Sequence, residues 1–432
     1  MISITCLPSR RPRWVTGAFV AALIATCLAG ALLPARPAHM AQAAAPSGLH
    51  VLGNQLVDST GQPVRLLGVD RSGTEYACIQ GWGIFDGPSD AASVQAIAAW
   101  HTNAVRVPLN EDCWLGINGV PAAYGGANYQ QAIASYVSLL NSYGLVAILE
   151  LHWSAPGTQA ATGQQPMPDR DHSVTFWQQV ATAYKGNGAV IFDLFNEPYP
   201  DSNQDTTAAW TCWRDGGTCT GVSFTVAGMQ QLVTAIRNTG ATNVIMAGGV
   251  QYANRLSQWL TYKPADPTGN LAASWHVYNF NACSSTSCYD ATIAPVAQQV
   301  PVIAGEIGEN DCQHGFIDTV MNWLDAHSQS YLGWTWDTWN CASGPALITD
   351  YNGTPTQSFG QGFHDHLAAL ASNATPTATS AALTTATSTA ASSTATPTAT
   401  TVPATSTPTS TRTSTPVASA SATPTPKHRP KH

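Results

Sequence analysis

Short apolar runs recur through the middle of the chain, and longer amphipathic stretches separate them. The runs span 64–69, 104–107, 146–151, 190–195, 244–247, 273–277, 302–304 and 332–336. Between them lie segments such as "ASVQAIAAWHT", "YQQAIASYVSLLNSYG", "VTFWQQVATAYKGN" and "TVAGMQQLVTAIRNTG". Eight strands alternating with helices predict an α/β fold, a (β/α)8 TIM barrel with its helices outside. An open doubly wound sheet would share the alternation, but its glycine-rich phosphate fingerprint is missing. Ahead of the first run, "LHVLGNQLVDSTGQPVRLLGVD" sets alternating apolar residues around Gly53-Asn54 and Gly61-Gln62. That pattern predicts a short β-hairpin leading into the barrel.

The two ends of the 432-residue chain differ from the middle and divide it three ways. Residues 1–45 carry Arg10, Arg11 and Arg13, then an apolar stretch from Val15 to Leu33, then small residues with a candidate cleavage point at Ala43-Ala44-Ala45. This reads as a secretion signal; a membrane anchor is the alternative, since the stretch is close to the shortest that spans a bilayer. Residues 46–372 are the globular part. Residues 373–432 are almost wholly Ser, Thr, Ala and Pro, a composition that cannot bury apolar surface and predicts a disordered tail.

Ten cysteines are present, two of them (Cys6 and Cys27) in the signal. An even remainder in an exported protein predicts disulfides. Cys212/Cys219 and Cys283/Cys288 are close enough to staple single loops. Cys78–Cys113 and Cys312–Cys341 would join loops after neighbouring strands, one to two and seven to eight. The net charge of −8 hides an asymmetry, because eight of the 17 Lys and Arg lie in the two ends while all 25 Asp and Glu lie between them. So acidic a domain repels nucleic acid and anionic membranes and suits a neutral polymer.

In a (β/α)8 barrel the active site forms at the C-terminal ends of the strands. The polar and aromatic residues that end the expected strands are Arg106 and Asn110, His152 and Trp153, Asn196 and Glu197, His276 and Tyr278, Glu306, and Trp336. Aromatic and carboxylate groups at one mouth suit sugar rings, which stack on apolar faces and hydrogen-bond at their edges. The chain has only six Glu, and two of them, Glu197 and Glu306, end strands four and seven. A carboxylate beside barrel layers is costly unless paired or used. A structural salt bridge is the alternative for either one, but Lys and Arg are scarce nearby. Opposed carboxyl groups can cleave a glycosidic bond, one kept protonated and the other held ionised by Arg106 and Tyr278. Zinc ligation by His152 and His276 would need a third ligand at suitable spacing, and none appears, so no metal or other cofactor is expected. Asp169, Asp171 and His172 either bind substrate or hold their loop. Trp82, Trp153 and Trp339 are either sugar platforms or core.

The segments "NAVRVPLNEDCW", "ILELHWS", "LFNEP", "WHVYNF", "AGEIGEN" and "WTWDTW" together resemble the cellulase family, glycoside hydrolase family 5, over about Leu49 to Leu370. The resemblance implies a secreted, monomeric retaining hydrolase of β-linked polysaccharide, foremost an endo-β-1,4-glucanase. A β-mannanase, a xyloglucan-active enzyme or an exo-acting β-glycosidase would use the same frame. A carbohydrate-binding surface protein that has lost catalysis is the non-enzymatic alternative, and the intact Glu pair speaks against it. Glu197 then resembles the acid/base, Asn196 a ligand of the sugar 2-hydroxyl, and Glu306 the nucleophile. Arg106 and Tyr278 would orient Glu306, His152 and His276 would line the same subsite, and Trp336 would be its stacking platform. Glu150 stands where related sequences often carry Asp, and it is expected to point away from the site.

Overall fold

The computed structural model describes residues 45–374 apart from Ala342. The expected signal before Ala45, and the expected tail after Ala374, lie outside the described residues. Eight parallel strands close into a barrel in sequence order. They are β1 Leu67–Asp70, β2 Ala104–Asn110, β3 Val146–Trp153, β4 Val190–Asp193, β5 Ile245–Gly248, β6 Leu271–Tyr278, β7 Val302–Gly308 and β8 Ser330–Gly333. The ring closes where Tyr331, Leu332 and Gly333 of β8 pair with Leu67, Gly68 and Val69 of β1.

Helices follow the strands on the outside: α1 Ala91–Ala99, α2 Ala127–Ser142, α3 Ser173–Tyr184, α4 Met229–Arg237, α5 Trp259–Tyr262, α6 Thr286–Thr292, α7 Gly315–Ala326 and α8 Phe359–Ala374. The four amphipathic stretches named above supply α1 to α4. Helix α5 is a single turn, too short to show a helical period in the sequence. Helix α8 runs two residues past the expected domain boundary at 372.

Strand parity sorts the side chains. The lower barrel interior is filled by Ala104, Val146, Ile148, Ile191, Met246, Ala272, Ile303 and Leu332. Leu49 and Leu56 join this layer from the N-terminal hairpin, His50–Leu52 paired with Gln55–Val57, which plugs that end of the barrel. Each such Leu or Ile stabilises the fold by about 1.5–3 kcal/mol when fully buried. Neighbours of opposite parity, such as Val105, Val107, Ala147 and Leu149, face outward against the helices. Moving two residues up from an interior position keeps the side chain inside. Ala104 therefore leads to Arg106, Ile148 to Glu150 and His152, Ile191 to Asp193, and Ala272 to Ser274, His276 and Tyr278.

Strand β7 departs from this parity. Trp275 pairs with Ala304 but His276 pairs with Glu306, so Gly305 is an extra residue on β7. A bulge of this kind re-aims the side chains that follow it. Here it turns Glu306 into the barrel, where an unbroken strand continuing from Ile303 would have pointed it out. Glycine is required at the bulge, because a Cβ there would lie 2.9 Å from both His276 Nε2 and Ser274 Oγ.

Four disulfides form, with the expected pairing. Cys78–Cys113 ties the loop after β1 to the segment after β2, and Cys312–Cys341 ties the loop after β7 to that after β8.

Candidate active site

The floor of the barrel mouth is organised around Arg106, which is fully buried. Its Nη1 donates to Glu306 Oε1 at 2.9 Å and to Asp70 Oδ1 at 3.1 Å. Its Nε donates to Asp193 Oδ2 at 3.0 Å, and its Nη2 to Asn196 Oδ1 at 3.0 Å. Glu150 Oε2 lies 3.6 Å from Nη2. Burial opposes the guanidinium's charge, but Glu150, Asp193, Asp70 and Glu306 outweigh it and lift its pKa further. Burial also raises the acids, Asp193 to about 7 and Asp70 well above its ordinary value, with Arg106 opposing in each case.

Above this floor, Tyr278 OH donates to Glu306 Oε2 at 2.6 Å. Burial first, then the nearby Glu306 and Glu197 charges, holds the Tyr278 hydroxyl protonated. Both oxygens of Glu306 are thus held by donors. On the opposite wall, Glu197 follows β4, with its Oε1 3.2 Å from His276 Nδ1. Gln164 donates to the Glu197 backbone oxygen at 3.0 Å and to its Oε2 at 3.2 Å. His276 Nδ1 also lies 3.5 Å from Glu306 Oε2. One atom from each of Glu197, His276 and Glu306 can be chosen so that all three lie within 4.8 Å of one another.

The two histidines differ in charge. Burial drives the His276 pKa down to about 3, so the ring is neutral between the two Glu. At His152 burial acts in the same direction, but Glu150, bonded to Nδ1 at 2.8 Å, reverses it and lifts the pKa to about 9. The His152 imidazolium then presents Nε2–H beside Asn196 Nδ2, 3.4 Å away. Two donors side by side cannot satisfy each other, so both are available to a hydroxyl in the cleft.

The carboxyl groups and aromatic side chains meet in a cleft at the barrel mouth, open to solvent on one side. His152, Trp153, Asn196, Glu197, Tyr278 and Glu306 line it together, as the strand-end pattern implied. Arg106 and His276 act from beneath, each fully buried. Two expected site residues are not in it. Asn110 is the N-cap of the helix Glu111–Leu115, its Oδ1 accepting from Cys113 N, while its Nδ2 donates to Glu75 O and Ala161 O. The short polar side chain that ends the strand is consumed in starting a helix.

Trp336 is also displaced. It is fully buried against Trp100, with ring centroids 4.9 Å apart, and the tryptophan of this segment that lines the cleft is Trp334, stacked 5.6 Å from His152. Alternation still carries Trp334 inward with Leu332, but the strand ends at Gly333, and by Trp336 it no longer governs. The expectation for Glu150 is corrected as well: it shares the interior face with His152, two residues on.

Asp169, Asp171 and His172 hold their loop. Asp169 Oδ1 accepts from His172 N at 2.8 Å, Asp171 Oδ2 accepts from Gly157 N at 3.0 Å, and His172 Nε2 bonds Gly157 O at 2.8 Å. Trp153 and Trp339 line the cleft and Trp82 does not. The sequence reading missed Gln164, Glu75, Phe280, Asn310 and Trp334. Parity from Leu332 could have found Trp334; the rest sit on loops or bends with no local signal.

Glu197, His276 and Glu306 could each offer a ligand to a cation. Arg106 and Tyr278 already occupy both Glu306 oxygens, however, and the guanidinium would repel a metal ion. The arrangement suits a neutral polyol: one well-held carboxylate, a second carboxyl group opposite, and flanking aromatic faces.

Comparison with known proteins agrees. The family model described as cellulase (glycosyl hydrolase family 5) matches residues 57–343. The chain belongs to that family and is a glycoside hydrolase. Among curated proteins it is similar to a mannan endo-1,4-beta-mannosidase of Salipaludibacillus agaradhaerens, 23% identical over 67% of this chain and 82% of that one. It is also similar to the endoglucanase CelA of Streptomyces lividans, 25% identical over 72% of this chain and 61% of that one. Among solved structures, a beta-glucanase from Saccharophagus degradans in complex with cellotetraose shares the fold with a TM-score of 0.58 at 20% identity, covering 75% of this chain and 94% of that one.

Proposed function

We propose that the chain is a secreted endo-β-1,4-glucanase that cleaves its polymer with retention at the anomeric carbon. The observation that carries this reading is the opposed pair, carboxylate oxygens of Glu197 and Glu306 within 4.8 Å. Retaining glycosidases hold their carboxyl groups roughly 5–5.5 Å apart, whereas inverting ones leave about 6.5–9.5 Å for a water. In the first step Glu306 attacks C1 while Glu197 protonates the departing glycosidic oxygen, so the C1–O bond breaks as the sugar–Glu306 ester forms. In the second, Glu197 takes a proton from water, whose oxygen attacks C1 and releases Glu306. Arg106 and Tyr278 keep Glu306 oriented for attack, and neutral His276 sits between the two carboxyl groups without neutralising either. Asn196 Nδ2 and His152 Nε2–H face the hydroxyls of the sugar at the cleavage point, and Trp334 carries its apolar face.

The acidic globular part supports an uncharged glycan as partner, with neither nucleic acid nor membrane. Four disulfides support an oxidising, extracellular location. No helix among the described residues is long and apolar enough to cross a membrane. A monomer needing no metal suffices for the chemistry, since every group it uses comes from one barrel mouth. β-1,4-Mannan is the second reading, favoured by relatives named mannan endo-1,4-beta-mannosidase.

The test is a panel of soluble glucan, mannan, xyloglucan and aryl glycosides with product sizing, and NMR of the first-formed anomer. Internal cleavage of β-1,4-glucan with initial β product is expected. Initial α product overturns retention, release of single sugars from chain ends overturns endo action, and faster cleavage of mannan installs the second reading. Glu197→Ala should lose about 10²–10⁴ in rate on oligosaccharides and far less on a dinitrophenyl glycoside, whose leaving group needs no proton. Equal losses on both would remove Glu197 from the acid role.

A further inference from the structure

Of the six Glu, Glu75 is the one whose burial neither the fold nor the chemistry above explains. It follows β1, is 1% exposed, and lies in the wall of the cleft with His152, Trp153, Trp334 and Trp339. The other buried carboxylates beneath the mouth have partners: Asp70, Asp193 and Glu150 gather on Arg106. Glu111 accepts from Ser173 Oγ, and Glu309 from Phe316 N. Glu75 has less. Its Oε2 accepts from Gly73 N at 2.6 Å, its own backbone N–H also bonds the carboxyl group, and no side chain among the described residues does. Its place in the cleft wall puts the carboxyl group beside the space a ligand would fill.

Burying a carboxyl group that only backbone N–H groups hold is costly unless something arrives to use its remaining lone pairs. The surroundings indicate what arrives. Tyr76, the next residue, has its ring 6.2 Å from Trp153 and 6.3 Å from Trp339, so Glu75 emerges beside an aromatic wall. Backbone N–H groups of Gly73 and Glu75 itself hold the carboxyl group, so no mobile side chain has to be displaced from it. The carboxyl also stays responsive: burial pushes its pKa up to about 7, and the His152 imidazolium draws it down.

We propose that Glu75 is a substrate-binding, specificity-determining residue whose carboxyl group accepts a hydrogen bond from a hydroxyl of the sugar seated on Trp334. This rests on the glycosidase reading of the cleft and extends it, setting an acceptor across from the donors of His152 and Asn196. Acceptor and donors together can distinguish a sugar by the direction of its hydroxyls.

The experiment is a substrate cycle on the aryl β-glycoside that the wild type turns over best, with analogues lacking one hydroxyl at a time. Against the full substrate, Glu75→Ala should lower kcat/KM roughly tenfold to a hundredfold, the scale of one bond to a charged group. One deoxy analogue should show no further loss, because wild type and variant then lack the same contact, while the others stay additive. Glu75→Gln, which retains an acceptor oxygen and the shape, should recover most of the rate. If every analogue behaves additively, Glu75 does not touch substrate, and a lowered melting temperature with a uniform rate loss would assign it to holding Gly73. A wild type that turns over neither an aryl glycoside nor any soluble glycan would refute the glycosidase reading of the cleft, whereas an active wild type with additive losses refutes only this assignment.

Discussion

Replacing Arg106 with Met tests whether the guanidinium is what allows the acids of the barrel floor to be buried. Met keeps the length and apolar stem and removes the charge from four carboxylates, Asp70, Glu150, Asp193 and Glu306, all 3% exposed or less at the side chain. Removing one partner of a buried ion pair costs about 3–5 kcal/mol. A domain of roughly 330 residues unfolds with an entropy of about 0.7 kcal/mol/K near its midpoint, so the melting temperature should fall by about 4–7 °C. The loss should depend on pH. Burial already lifts Asp193 to about 7 and Asp70 well above its ordinary value, and without Arg106 both rise further. Acids with raised folded pKa values bind protons in the native state that the unfolded chain has released, so the native state gains as pH falls. The variant should therefore be closest to wild type near pH 5 and furthest from it near pH 8. Activity falls separately, because Glu306 and Asn196 each lose a charge-assisted bond; at about 1.5–3 kcal/mol apiece, kcat/KM should drop at least a hundredfold. Calorimetric melts at the two pH values and initial rates on a soluble glucan read both effects. A variant that melts with the wild type at pH 8 would show that Arg106 does not support the floor.

Three further outcomes follow from the geometry. His152 ionises near 6.5 in the unfolded chain and about 9 in the folded one, so its stabilisation is complete below about pH 6.5 and is lost as pH rises through 9; His152→Gln should flatten the fall in melting temperature between pH 7.5 and 9, and an unchanged slope counts against the Glu150 pairing. Gly305→Ala puts a methyl 2.9 Å from His276 Nε2 and Ser274 Oγ, overpacking worth about 1–3 kcal/mol; Glu306 is the next residue, so kcat/KM should fall tenfold or more, and wild-type kinetics would show that the bulge tolerates a side chain. Cys78 and Cys113 close a loop of 35 residues, for which the chain-entropy formula gives about 4 kcal/mol; the double Ala variant should melt about 5 °C lower, and non-reducing peptide mapping that finds either thiol free would reject the bridge.

Much of this was legible in the sequence for a simple reason. A barrel strand buries both faces, so each one appears as an apolar run, and the residue that breaks the run marks the mouth. Glu197, Glu306, His152 and Tyr278 were found in that way. The rule failed where a strand ends in something other than an open loop. At Asn110 the chain passes directly into a helix and uses the side chain as its cap. Beyond Gly333 it leaves the sheet, so that Trp336 turns into the core while Trp334 lines the cleft. Glu150 was misread although the period-two rule places it on the same face as His152. The inward turn of Glu306 depends on the Gly305 bulge, which is visible only as register. Gln164 and Glu75 come from bends remote in sequence from the Glu pair, and nothing local marks them.

The distribution of tryptophan gives this chain an internal optical reporter. Trp177, Trp210, Trp213, Trp259 and Trp275 are sealed in the interior, while Trp153, Trp334 and Trp339 line the cleft. A ligand stacking on the second group strips water from those indoles and shifts their emission to the blue, while the first group contributes a constant background. Occupancy of the cleft can then be followed by intrinsic fluorescence, without a label and without turnover. Affinity thus becomes measurable in variants that no longer cut.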